Sequence, residues 1–251
     1  MVGAVDGPLM DTSKDQTDTS SNSAARLSMA AENYLLSIFR LEEQDTRVTL
    51  TILAEHLKTL PVDEGLGTSL PSVGGMIRRM VREGLVHTTA NKDVVLTSRG
   101  RSSAESIVRR HRLAERLVVD LLGLELHMAH VEAHRLEHAI SPILEEKIAE
   151  ALGNPTTRPF GHPIPGSGHA SDEPSRPLDE SETGEQLVIH SIPEDDQALL
   201  KYLVDNSLVP GQLVTVKDAA VTRGVITLQC NGLDVVFSYD VAAKIRVCPQ
   251  E

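Results

Sequence analysis

The spacing of apolar and polar positions changes along this chain, and the changes divide it. From about residue 27 apolar residues recur at helical spacing. AAENYLLSIFRLEEQ sets Tyr34, Leu35, Ile38 and Leu41 or Phe39 on one face, and LTILAEHL does the same with Leu50, Leu53, Ala54 and Leu57. A Gly-containing connection, PVDEGLGTSL, precedes LPSVGGMIRRMVREGLV, where Val73, Met76, Ile77, Met80 and Val81 predict a third helix ended by Gly84. Two β-prone runs, LVHTT and DVVLT, follow around the turn-like ANKD. Three helices and a hairpin in that order are the plan of a winged helix-turn-helix over residues 27–100. Ser69, Pro71 and Ser72 suit the start of the third helix, whose N-terminal end enters the major groove of DNA in that fold.

Residues 101–153 read as almost wholly helical, closed by Gly153 and Pro155. The Pro-, Gly-, Ser- and acid-rich stretch 154–185 predicts a linker that is at least partly flexible. Over 186–251 short strand-like runs alternate with turns (QLVIHSI, QLVTVKDA, GVITLQCNG, LDVVFSY, KIRVCP), with one helical piece, DDQALLKYLVDN, between the first two. That pattern predicts a small SH3-like β-barrel.

Composition changes this picture only at its edges. Aromatic residues are 2% and Trp is absent, so Leu, Val, Ile and Ala must build the cores. Residues 1–26, rich in Ser, Thr and Asp, predict a disordered tail. No apolar run approaches the roughly 20 residues a bilayer span needs, and two cysteines give no disulfide framework. These features point to a soluble, cytoplasmic protein with no membrane partner. The net charge of −12 argues against nucleic acid until its distribution is read. Residues 69–112 hold nine Arg or Lys against three acids, whereas 171–196 hold nine acids against one Arg. A basic region on an otherwise acidic chain suits phosphate docking, or a solvated helical face.

The candidate chemistry lies in HMAHVEAHRLEHAI, where His127, His130, His134 and His138 fall at intervals of three, four and four with Glu137 among them. Those intervals bring side chains to one helical face, as they do for His111 and Glu115 in HRLAE. Imidazole and carboxylate together suit a divalent metal; the competing reading is a set of ordinary surface or core histidines. HExxH, GxGxxG, Walker A and GxSxG patterns are absent, so nothing supports an enzyme.

HRLAERL, VEAHRLEHAIS and RPFGHPIPG, following a winged helix, together resemble the diphtheria toxin repressor family, which includes iron-dependent and manganese transport regulators. The resemblance runs from about residue 28 to the C-terminus. It implies an α+β protein: an N-terminal winged helix-turn-helix, a helical dimerisation and metal-binding domain, and a C-terminal SH3-like β-barrel. The implied function is a homodimeric repressor that binds double-stranded operator DNA when metal is bound and controls metal-homeostasis genes. It further implies two metal sites per subunit. The ancillary one would use His111, Glu115, His130, Glu194 and Gln197, and the primary, activating one Asn33, His134, Glu137 and His138. The primary set departs from the family, since Asn33 and His134 stand where iron-responsive members have Met and Cys. Leu36 also replaces the second N-terminal carboxylate of short manganese regulators. Without sulfur the site is harder, which favours Mn²⁺, with Fe²⁺ as the alternative. Arg78, Arg79 and Arg82 are candidates for contacts to the DNA backbone beside Ser69, Pro71 and Ser72. A metal buffer or metallohydrolase, or a metal-independent DNA-binding protein, are the competing classes.

Overall fold

The computed structural model of the chain describes residues 27–60, 66–168, 175–194 and 196–250. The tail expected over 1–26 and part of the connection before the third helix lie outside the described residues. Helices α1 (Met29–Glu43), α2 (Leu50–Leu57) and α3 (Leu70–Arg82) are each opened by a side-chain cap, from Ser28, Thr49 and Ser69 respectively. The wing is an antiparallel pair, β1 (Val86–Thr88) and β2 (Val94–Leu96). Most of the apolar faces expected from the spacing form one core, with Tyr34, Leu35, Ile38, Leu53, Leu57, Val73, Ile77 and Met80 buried in it. Val81, expected with them, is exposed on the outer face of α3.

Helix α4 (Ser98–Arg116) joins two cores. Its Ala104, Ile107 and Val108 pack with the winged helix, while Leu113 and Ala114 pack against Ala133, Ile140 and Ile148 of α5 (Ala129–Glu137) and its surroundings. The boundary expected at residue 100/101 therefore falls inside a continuous helix, because one hydrogen-bonded ladder spans both packing environments. A π-helical turn at Leu117–Leu121 ends α4, and α6 (Pro142–Ala151) completes the helical region.

The C-terminal region is an antiparallel sheet of six strands in the order β3-β8-β4-β5-β6-β7. The strands are β3 (Arg176–Pro177), β4 (Gln186–Ser191), β5 (Leu213–Ala220), β6 (Val225–Cys230), β7 (Leu233–Ser238) and β8 (Arg246–Pro249). Helix α7 (Gln197–Asp205) connects β4 to β5, and α8 (Tyr239–Ala242) connects β7 to β8. The alternation of inward and outward residues along β6 gives the small-barrel pattern expected from the sequence.

Of the stretch 154–185, read as an at least partly flexible linker, the described residues 154–168 and 175–185 are ordered, and the first of these segments is anchored in the cores. Phe160 is buried in the C-terminal core together with Val118 and Ala129, and Ile164 is buried in the helical core. A Pro- and Gly-rich composition there encodes tight turns rather than freedom, because two apolar anchors hold it to different cores.

At the start of α4, a Cβ on Gly100 would lie 1.8 Å from the carbonyl oxygen of Leu85 beside β1. Gly100→Ala is expected to push the wing off the helix and cost on the order of 1–3 kcal/mol. Urea unfolding monitored by circular dichroism checks this; an unchanged midpoint would show that the close approach is not needed.

Candidate metal centre

The histidine stripe does not act as one unit. Helix α5 begins at Ala129, so His130 and His134 point inward from it and His138 is its C-cap residue. His127 lies in the preceding 3₁₀ turn (Leu126–Met128), partly exposed and 3.2 Å from Glu125 Oε2. Three of the four histidines face the seam where α5 meets α1 and α4.

The four primary-set residues converge in that seam. His138 Nε2 lies 3.0 Å from Asn33 Oδ1 and 3.3 Å from Glu137 Oε1, and His134 Nδ1 lies 3.2 Å from the same carboxylate oxygen. All four are buried. The set offers imidazole nitrogen, carboxylate oxygen and amide oxygen to one small volume, and that chemistry fits a divalent ion of intermediate hardness. The other nitrogen of His138 is held 2.7 Å from Glu32 Oε2, and Glu32 Oε1 accepts from Arg110 at 2.8 Å. Such a carboxylate fixes the ring and its tautomer and strengthens it as a ligand. Glu32 was legible only as a first-turn acid; its adjacency to Asn33 was the available signal.

The ancillary set divides. His111 Nε2 lies 2.9 Å from Glu115 Oε1 and 3.1 Å from His130 Nδ1, so three of its members meet. Glu194, from the loop after β4, reaches the same seam and is buried. Gln197 is exposed at the first position of α7 and is not among these contacts. Two arginines that sequence reasoning did not assign stand between the carboxylates. Arg158 donates from Nη1 to Glu115 Oε1 at 3.2 Å and from Nη2 to Glu194 Oε2, while Arg40 pairs with Glu194 Oε1. As they stand, these residues do not fit a second cation. The two sets also touch, since His111 Nδ1 lies 2.5 Å from Glu137 Oε2. One ligand atom from each of His111, His130 and His134 falls within 4.8 Å of the others.

Burial shapes the electrostatics here, and nearby charge reverses it for the acids. Burial alone would raise Glu115, Glu137 and Glu194. Arg158 overcomes it at Glu115, His111 and His134 do so at Glu137, and Arg158 with Arg40 does so at Glu194, leaving all three carboxyls well below their usual range. Burial, reinforced by Arg40, pushes His130 down to about 4. The ionised carboxylate a metal requires is present at Glu137, whereas at Glu115 and Glu194 the charge is already met by guanidinium.

The predicted DNA face lies apart from this seam. Ser69, which caps α3, and Pro71, Ser72, Arg78, Arg79 and Arg82 on it are all exposed, with Arg79 bonded to Glu83 at 2.7 Å. Part of the basic segment is internal instead. Arg109, Arg110 and Arg112 pair with Glu145, Glu32 and Glu43 and so hold the helices together.

Comparison with known proteins places these features in context. Residues 97–166 match the family described as iron dependent repressor, metal binding and dimerisation domain, and residues 176–249 match the FeoA domain. The chain is 33% identical over 229 residues to the iron-dependent repressor IdeR of Mycobacterium leprae, spanning 86% of this chain and 95% of that protein. It is 34% identical over 227 residues to the diphtheria toxin repressor of Corynebacterium glutamicum, spanning 86% and 94% respectively. A solved manganese-dependent transcriptional repressor in complex with manganese is 30% identical, with a TM-score of 0.77 over 88% of this chain and 100% of that one.

Two outcomes follow from the geometry. Glu32→Gln removes the carboxylate that orients His138, so Mn²⁺ affinity measured by isothermal titration calorimetry should fall roughly 10–100-fold; an unchanged affinity would reduce Glu32 to a helix-start acid. The second concerns pH. The folded state holds the His130 value at about 4, below its ordinary 6.5, so the unfolded chain binds the extra proton between those values. The stability from a neutral His130 is thus complete above pH 6.5 and is lost as pH falls toward 4. Calorimetric midpoints of the metal-free protein should drop across that window, and His130→Gln should flatten the drop.

Proposed function

The chain belongs to the diphtheria toxin repressor family of metal-dependent transcriptional repressors, and from that premise we propose that it binds operator DNA as a homodimer when Mn²⁺, or alternatively Fe²⁺, is held by Asn33, His134, Glu137 and His138. One observation carries the reading. Asn33 sits on α1, whose Tyr34, Leu35 and Ile38 belong to the winged-helix core, yet its amide oxygen lies 3.0 Å from His138 at the end of α5. A bound divalent cation would supply a positive charge that Glu137 and both imidazoles share with that amide.

The chain's own residues account for the coupling. Glu32 and Asn33 hold α1 to α5 through His138, so the arrangement of α1 depends on the state of that ring. The α1–α3 core then transmits the position of α1 to α3 and its exposed Ser69, Ser72 and Arg78. A ligand biases such an equilibrium only by binding one arrangement better than the other. Gly74 and Gly75 leave the first turns of α3 slim, and the Arg78 guanidinium lies against them, 3.4 Å from the place of a Gly74 Cβ. These features support backbone contacts by Arg78, Arg79 and Arg82, with Ser69, Pro71 and Ser72 nearest the bases.

A homodimer is supported by apolar side chains left exposed on the helical region: Leu121, Leu122, Ile143 and Leu144, with Ile143 at 75%. Among the described residues no helix is long and apolar enough to cross a membrane. Repression inside the cytoplasm is the setting this reading assumes, and no catalytic role is assigned.

The test is DNA affinity by fluorescence anisotropy, using a duplex the protein selects from a random library in Mn²⁺. Added Mn²⁺ at fixed ionic strength should raise affinity by roughly 5–150-fold, the usual range of coupling, and affinity should fall steeply with salt. His134→Ala should lose the metal response while helix content and dimerisation persist, since a helix accepts Ala readily. Equal binding with and without Mn²⁺ would sink activation, and metal binding without any DNA binding would favour a buffer or metallohydrolase.

A further inference from the structure

The Glu115–Glu194 cage already contains cations of its own. Arg158 reaches both carboxylates, and each oxygen of Glu194 meets a different guanidinium, Arg158 on one side and Arg40 on the other. The side chains of these four residues are at most 5% exposed. His130 is engaged as well, with Nδ1 3.1 Å from His111 Nε2 and Nε2 3.4 Å from Arg40 Nη1. We propose that the Arg158 guanidinium, backed by Arg40, is the resident cation of this cage, so that the chain docks its C-terminal domain without a second metal and takes one activating ion per subunit.

Charge and packing both support this. Two guanidinium groups and two carboxylates form a balanced buried set, and a divalent ion added among them would be a third, uncompensated cation in a low-dielectric site. Glu137 differs, because imidazoles surround it: His111 at 2.5 Å, His134 at 3.2 Å and His138 at 3.3 Å. Imidazole can give up its proton to a metal, whereas guanidinium keeps its charge. The Arg158 backbone is fixed rather than adjustable. Its N–H donates to His162 O at 2.9 Å, and its carbonyl accepts from Gly161 at 3.0 Å. Gly161 has a φ of +100°, and a Cβ there would lie 2.0 Å from His190 O, so the turn lies flat on β4. Phe160, 5.2 Å from the guanidinium carbon, seats the same turn in the C-terminal core. The planar fork therefore spans from α4 to the loop after β4, joining two regions that a bridging metal would otherwise join.

The inference rests on the metal-binding reading of the α5 site but not on its role in repression. The experiment counts Mn²⁺ and Co²⁺ per chain by native mass spectrometry for the full-length wild type, Glu194→Gln, Glu137→Gln, Arg158→Gln and Arg158→Lys. Hydrogen exchange over residues 186–194 of the metal-free proteins reports docking. The expected count is one for wild type, one for Glu194→Gln and Arg158→Lys, and none for Glu137→Gln. Arg158→Gln should either gain a second ion or lose protection over 186–194. A wild-type count of two overturns the proposal, as does a count that falls in Glu194→Gln. So does an Arg158→Gln protein that keeps both one ion and full protection. If Arg158→Gln does not fold, the wild-type and Glu194→Gln counts decide. A wild type that binds no ion overturns the α5 site itself and this count with it.

Discussion

A carboxylate withdrawn from water is costly unless a cation or donor meets it inside the protein. The seam between α1, α4, α5 and the loop after β4 buries four such groups: Glu32, Glu115, Glu137 and Glu194. Every element that borders the seam is held by what neutralises them. Arg110 and His138 meet Glu32, Arg158 and His111 meet Glu115, histidines meet Glu137, and two arginines meet Glu194. The winged helix, the helical region and the loop after β4 each contribute charge to this seam, so matching charges accompany the shared apolar cores in setting how they meet.

The partners divide by chemistry. Arginine stays charged under any ordinary condition, so the Glu194 end of the seam is permanently compensated. Histidine carries a proton or gives it up, so the Glu137 end can exchange a proton for another cation. One continuous polar seam thus has a fixed end and a responsive end, and the responsive end is where α1 of the winged helix touches α5. The family's members include metal-dependent repressors, and the proposed reading puts the metal at that responsive end, beside α1 of the winged helix.

Much of this was legible in the residues. Helical spacing located α1 to α3 and their core, and period-two alternation found the strands of the C-terminal sheet. Intervals of three and four put His130, His134, Glu137 and His138 on one helical face, because neighbours on a helix are neighbours in sequence. Grouping His134, Glu137 and His138 into one site comes from the family resemblance. Glu32, Arg40 and Arg158 were not legible, since their roles arise from packing between distant segments: Arg158 lies 43 residues from Glu115 in the chain. The anchoring of residues 154–168 was hidden for a related reason. Pro and Gly mark turns equally well in tethered and in free chain, and only Phe160 and Ile164, seated in two cores, separate the cases. His127 shares the interval of the stripe but precedes the first turn of α5, where the period no longer applies.

Helix α4 is a single rod of 19 residues whose two ends lie in different cores. At 1.5 Å per residue it is about 28 Å long. A tilt of about 5° at the end that carries His111 would displace the other end, beside the wing, by roughly 2.5 Å. That is enough to move a seryl or guanidinium group out of hydrogen-bonding range of a phosphate or base. Under the proposed reading the rod is a lever arm: a small rearrangement among the buried imidazoles at one end becomes a larger displacement beside the wing at the other.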